Sequence, residues 1–414
     1  MNDNPFKCKP ISLDKTYMNW TELSAKPYDP KTVEPFTKLR IILANGAEFE
    51  AVKFSHCASR NCPDNDLRRD LALLRKSEQM QQKLLSSLKP ISETILQHTI
   101  GYEQLAVELT SILAKNEPDK YVKHALDFAL LEDFDHLYRY ANLLEMDTKQ
   151  KAEELVGKLT EIMPARPTIA EHRYPADDVK RYCNFTKASL ATKLNVGIIT
   201  AAEQQTMNYY MNQLGFYPNK VGRDLYAEIA LIEEQHVTSY GCLLDTNCTM
   251  LENLVMHEYT ECYLYYSLYN DEPDKYIKDI YARIYEQEVA HLHYATHLLN
   301  KYEQKEFAQV VGKGDYPKLL QFSSNIDYVR KVIEDSATQT GDKEDYIKVS
   351  NLDKNSDYAK YQEAINGDAK TTPSHKVICK HIDELGQDYR YETKPHPIEE
   401  LASRKEDNTT FARI

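Results

Sequence analysis

The sequence has no pair of cysteines at C-x-x-C spacing, no apolar run close to the length of a membrane span, and no excess of basic residues. Each absence excludes something. Without a C-x-x-C pair, the eight cysteines (8, 57, 62, 183, 242, 248, 262 and 379) do not make a zinc ribbon or a rubredoxin-type iron site. In a chain this long they make no disulfide framework either. Most are expected as reduced thiols of a cytoplasmic protein, with Cys57 and Cys62 close enough to pair. Without a long apolar run, no transmembrane helix is expected. A formal net charge of −13 argues against a nucleic-acid partner, which needs basic patches for phosphate. No apolar stretch follows Met1–Cys8, so no signal peptide is expected. What remains, 42% hydrophobic and 28% charged over 414 residues, describes an ordinary soluble chain long enough for two or three domains.

What is present is a spacing that occurs three times. Glu103, Asp133 and His136 are separated by 30 and then 3 residues; so are Glu203, Glu233 and His236, and Glu258, Glu288 and His291. A proline sits midway in each copy, at Pro118, Pro218 and Pro273. Multiplying the 13 His by the square of the acidic fraction, 64 in 414, gives only about 0.3 such triplets by chance. Flanking text repeats as well, since Glu117–Tyr121 and Glu272–Tyr276 both read Glu-Pro-Asp-Lys-Tyr. Repeats of this kind dictate architecture. A helical hairpin turning at the proline would bring the first carboxylate level with an acidic-x-x-His pair on the next helix.

The rest of the chain places these hairpins. Residues 1–65 read as an irregular segment with one β-hairpin, Leu39–Ala44 and Ala47–Phe54 joined by Asn45-Gly46, a dipeptide that supplies the positive φ angles of a tight turn. Helices are expected near 66–88, 92–116, 118–146 and 149–162, forming a helical domain over 66–165 that carries the first, degenerate hairpin. A connector covers 166–196. Four helices in close order, near 197–215, 219–243, 250–269 and 274–303, define a bundle over 197–304. Two weaker helices, near 317–335 and 355–366, fall within a helical and extended tail, 305–414. The expected class is mainly α, with a four-helix bundle, an additional related helical domain and the small N-terminal β-hairpin.

Residues three apart share a helix face. Glu233 with His236, and Glu288 with His291, therefore project together, on stripes that are otherwise core-facing: Tyr226, Ile229 and Tyr240 in one helix, Tyr281, Ile284, Ala295 and Leu298 in the other. A buried carboxylate is costly unless paired, and a metal ion is one way to pair it. Glu203, Glu233, Glu258 and Glu288 balance two divalent cations, and His236 and His291 add one nitrogen to each. Bundle cores use this ligand set for dinuclear sites. Oxygen-rich sites with some imidazole suit iron or manganese. Glu261, one turn after Glu258, is a candidate extra ligand.

On these residues the sequence resembles the ferritin-like di-iron carboxylate superfamily, nearest its rubrerythrin-like members, over residues 197–304. The resemblance implies metal ligation by Glu203, Glu233, His236, Glu258, Glu288 and His291, two iron ions (with manganese as the alternative), and redox chemistry on dioxygen or peroxide. The rubredoxin-like domain of classical rubrerythrins is absent, which implies an external electron donor. The expected activity is that of a di-iron oxidoreductase of oxidase or peroxidase type; a non-enzymatic iron-binding or storage protein and a dimanganese catalase are the alternatives.

Tyr210 and Tyr265 lie seven residues after Glu203 and Glu258, and Tyr226 and Tyr281 seven before Glu233 and Glu288. The first copy has Thr110 and Leu126 at the matching positions. Copies two and three are therefore expected to pair in one bundle. Glu103, Asp133 and His136 remain a possible second site: the hairpin could meet its own copy in a homodimer, hold one ion, or persist as structure. Glu132 and Asp135 are expected to face outward, His257, His293 and His297 to stand off the ligand stripe, and Cys262 to be buried.

Overall fold

A computed structural model of the chain describes residues 2–162, 173–336 and 338–387. It is mainly helical: α1 (Pro35–Asn61), α2 (Asn65–Ser86), α3 (Ile95–Asn116), α4 (Lys120–Thr148), α5 (Ala152–Leu155), α6 (Leu190–Phe216), α7 (Lys220–Cys242), α8 (Met250–Asp271), α9 (Lys275–Glu303), α10 (Ala308–Val311), α11 (Ile326–Ser336), α12 (Asp357–Asn366) and α13 (Pro373–Leu385). One antiparallel pair, β1 (Gln339–Asp342) and β2 (Asp345–Lys348), is registered Thr340 to Ile347. Among the described residues no helix is long and apolar enough to cross a membrane.

The hairpin turns follow from local chemistry. A residue before proline avoids the helical region, and Cys62, Glu117 and Glu272 are extended with ψ of 122°, 118° and 122°. The residue after each proline then caps the next helix. Asp64, Asp119 and Asp274 each accept two backbone N–H groups of the first turn, and Asn219 accepts that of Gly222. A side-chain acceptor at this position satisfies donors the helix cannot. Capping boxes at Thr94–Gln97 and Thr249–Glu252 start α3 and α8.

The chain forms two compact units. The first comprises Met1–Glu93, Tyr182–Gln205 and Leu244–Phe322; the second comprises Thr94–Arg181, Thr206–Leu243 and Ser323–Ile414. In the first unit α1 packs on α2 and α8, and α9 on α8 and α2, which closes a ring of four helices. In the second, α3 packs on α4 and α4 on α7, with α11 and α13 against α4. Helix α6 runs from one unit into the other between Gln205 and Thr206.

Two expectations are corrected here. Residues 39–54 are not a β-hairpin but the middle of α1, a 27-residue helix. Gly46 is needed for close approach rather than for a turn, because a Cβ there would lie 2.9 Å from the Gln205 amide nitrogen. That nitrogen donates to the Ile42 carbonyl at 2.9 Å, and Asn45 hydrogen-bonds the Gln205 oxygen. The expected bundle over 197–304 is also divided, since Thr206–Leu243 belongs to the second unit and Leu244–Phe322 to the first. The expected tail contains a further helix, α13. The tail residues 388–414, and 163–172 at the start of the connector, lie outside the described residues.

Candidate metal centre

In the first unit the third copy of the spacing meets the α1–α2 hairpin, which carries no acidic-x-x-His pair. Glu258 and Glu261 come from α8, and Glu288 and His291 from α9; facing them are Glu48 from α1 and Glu78 and Gln81 from α2. All seven are buried. Ligand atoms of Glu78, Glu258, Glu288 and His291 lie within 4.8 Å of one another, and so do those of Glu48, Glu78 and Glu261. The two groups share Glu78. His291 Nδ1 is 2.8 Å from Glu78 and 3.1 Å from Glu288. Gln81 donates across to Glu288, and Tyr265 donates to Glu48.

Glu48, Glu78 and Gln81 are separated by 30 and 3 residues, with Pro63 midway. They form a fourth copy of the spacing, with glutamine in place of histidine. A template that demanded His could not find it. The proline and its following Asp64 were the available signal.

The second unit repeats the arrangement with the first copy. His136 Nδ1 lies 2.8 Å from Glu233, and His236 Nδ1 lies 3.3 Å from Asp133. Glu103, His136 and Glu233 offer ligand atoms within 4.8 Å of one another. Tyr210 donates to Glu103, as Tyr265 does to Glu48. The parallel holds contact by contact: His136 to Glu233 matches Gln81 to Glu288, and His236 to Asp133 matches His291 to Glu78. Glu233 and His236 of copy two and Glu258, Glu288 and His291 of copy three thus lie in separate units rather than in one site.

The six expected ligands therefore do not gather in one place. Glu258, Glu288 and His291 are in the first unit, and Glu233 and His236 in the second, joined there by Glu103, Asp133 and His136. Glu203 is buried on α6, in the stretch that belongs to the first unit. Glu132 and Asp135 do not face outward. Glu132 lies 2.9 Å from His236 Nε2, which holds that ring from its far side, and Asp135 is ion-paired to the buried Arg139 at 2.6 Å. Cys262 is buried, and Cys57 and Cys62 are free thiols. His257 sits 3.6 Å from Glu261 and stacks on Phe54; burial pushes it down to about 4, so its ring is neutral at pH 7.

The electrostatics fit a cation. Five carboxylates of the first unit (Glu48, Glu78, Glu258, Glu261 and Glu288) gather in these two groups, three of them (Glu78, Glu258 and Glu288) around His291, and none of the five forms an ion pair with lysine or arginine among the described residues. Neither oxygen of Glu261 accepts a hydrogen bond there. Burial, then the charge of Glu78, pushes the Glu48, Glu258 and Glu261 carboxyls well above their ordinary value. The same two causes push Glu288 up to about 7. In the second unit burial pushes Asp133 up to about 6; burial opposes ionisation of Glu233 too, but hydrogen bonds with His136 and His236 hold it well below the carboxylate range. Buried groups of one sign must be neutralised by protons or by a cation. Buried carboxylates and imidazoles in these groups can hold metal ions. No family model, no curated protein and no solved structure matches the chain.

Proposed function

We propose that the chain is a ferritin-like, non-haem metal protein whose first unit holds a dinuclear site, iron in the first instance, for redox chemistry with dioxygen or peroxide. One observation carries this reading: each acidic-x-x-His or acidic-x-x-Gln pair reaches across to the carboxylate of the facing hairpin, in both units. Two ligand groups sharing Glu78 suit two ions, one served by Glu258, Glu288 and His291 and the other by Glu48 and Glu261. Oxygen-rich ligation with one imidazole favours iron or manganese over zinc. By spacing, Glu203 stands to Glu233 and His236 as Glu258 does to Glu288 and His291.

Bound iron would supply a centre that cycles between divalent and trivalent states. The protein's part is to hold it. Tyr265 fixes Glu48 by donating to it, Gln81 fixes Glu288, and His291 is held between Glu78 and Glu288. Glu261, with both oxygens uncommitted, can take up or release a ligand position as charge changes. An apolar cavity against Glu261 favours chemistry on a molecule over storage. Lacking a C-x-x-C iron site, the chain would draw electrons from an external donor.

The test is the metal content of protein purified from its own source, with absorption spectra before and after oxygen or peroxide. Two equivalents of iron or more, and a spectrum that changes with oxidant, are expected. Metal-free protein that takes up no iron would refute the reading; manganese with peroxide disproportionation would turn it toward a catalase.

A further inference from the structure

The first unit contains a cavity of about 130 Å³ between α1, α6 and α8. Its wall is largely apolar, with Leu43, Ala47, Phe54, Ile198, Met256 and Leu264 among the lining residues. Glu261 also lines it. That carboxylate is about 1% exposed and belongs to the Glu48–Glu78–Glu261 group, and neither of its oxygens accepts a hydrogen bond among the described residues. The cavity is therefore an apolar chamber with a candidate metal ligand in its wall. An apolar cavity of about 150 Å³ is known to stay dry and take benzene, so this one is of the size for a ring of six carbons or a short branched chain. Dioxygen alone would leave most of the volume empty, and empty volume forfeits contacts.

We infer that this cavity binds a small, uncharged, largely apolar molecule, up to about the size of benzene, and that such molecules are the substrate class of the first unit's metal site. The second half rests on the metal-centre reading; the first does not. Because Glu261 lines the cavity, an occupant would lie beside the metal ligands, against the apolar Phe54 and Leu264. A charged molecule would lose its hydration, and Lys193, the lysine in the wall, already donates to the Val310 carbonyl at 2.7 Å.

Gly197, on α6, provides a way to fill the chamber. A Cβ built there meets only Thr260, at 3.7 Å, which is ordinary contact. Gly197→Leu should thus fold, place its side chain in the cavity, and leave every proposed ligand untouched. Benzene is the probe, with binding to the full-length protein read by calorimetry and thermal shift in chelator-treated and iron-loaded samples. Wild type should bind benzene with or without iron, and Gly197→Leu at least tenfold more weakly. Chelator-treated wild type should bind benzoate, the same ring with a charge, at least tenfold more weakly than benzene. Absent benzene binding, equal binding to the variant, or equal binding of benzoate would overturn the inference. Should Gly197→Leu fail to fold, Gly197→Ala and the benzene–benzoate comparison decide it. In iron-loaded protein benzene should shift the visible spectrum; binding without a shift would overturn the substrate assignment and leave the cavity assignment standing. Protein that binds benzene but no iron would refute the metal reading alone.

Discussion

At the scale of the residue, Gln81 is the most telling position. It occupies the place that His136 occupies in the second unit, donating to Glu288 where His136 faces Glu233. A neutral amide offers a metal a weaker ligand than imidazole, and its hydrogen bond to Glu288 withholds one carboxylate oxygen. Gln81→His should let the first unit retain metal against a chelator about tenfold better, or about 1.4 kcal/mol; unchanged or weaker retention would mean the position only orients Glu288. The two histidine-to-alanine changes give a second expectation. His136→Ala and His291→Ala should each lower bound metal, in separate sites, and the double variant should lose the sum, because no ligand is common to the two groups. A variant that empties both sites would contradict that independence. At this scale the site was half legible. Spacing identified Glu233, His236, Glu258, Glu288 and His291 as inward-facing. It passed over Glu48 and Glu78, whose hairpin ends in Gln81, and it read Glu132 as solvent-facing although the face it occupies is buried too.

At the scale of the element, the helices were legible wherever a side-chain cap opened them or a proline turn closed them: α2, α3, α4, α7, α8 and α9 start and stop within a few residues of expectation. Helix α1 was not, because Asn45-Gly46 carries a turn signal when read locally and a helix-crossing role only when Gln205 is in view. Packing decided it, as tertiary contact overrides propensity. Gly222 makes the same point as a prediction. In the first turn of α7, a Cβ at Gly222 would sit 2.0 Å from the Tyr217 ring, which is anchored through its hydroxyl to Asp147. Helix propensity favours Gly222→Ala by about 1 kcal/mol, but the clash should win and lower stability by about 1–3 kcal/mol. A more stable variant in denaturant titration would show that the ring moves freely. Glu108 on α3 gives an expectation in pH. Burial pushes it up to about 7, although Thr160 and Asn325 donate to it. A raised folded-state value means stability that is fully present below about pH 4.5 and lost as pH rises through 7. In Glu108→Gln the amide oxygen can still accept from Asn325 and the amide nitrogen can donate to the Thr160 hydroxyl, while the charge is removed. It should therefore be more stable than wild type at pH 8, by about 1–2 kcal/mol, with the difference gone near pH 5; a difference that does not change with pH would exclude ionisation as its cause.

At the scale of the whole molecule, four hairpins of one spacing make two units, and which hairpin faces which was beyond the sequence. Spacing within a hairpin is local, whereas pairing depends on helix faces brought together from far along the chain, 207 residues for Gln81 and Glu288 and 97 for His136 and Glu233. Tyr210 and Tyr265 were read as a sign that copies two and three pair; in the structure each donates to the first hairpin of its own unit, Glu103 or Glu48. The resemblance marks equivalent places rather than partnership. This architecture has a global consequence, since the carboxylates gathered in the first unit repel one another without a cation. Glu48, Glu258 and Glu261 are pushed well above the ordinary range and Glu288 to about 7. In metal-free protein these groups hold protons that the unfolded chain has released, so their contribution to stability is present in mild acid and lost as pH rises through 7. Metal bound at a thousandfold excess over its dissociation constant adds about 4 kcal/mol, and protons compete with it as pH falls. Chelation should therefore lower the melting temperature at pH 8, and the gap between loaded and stripped protein should narrow at pH 6 and be smallest near pH 5. Matching melting curves at pH 8 with and without chelator would count against any buried metal centre. A gap that widens in acid would mean that the carboxylates are neutralised by something other than the ion.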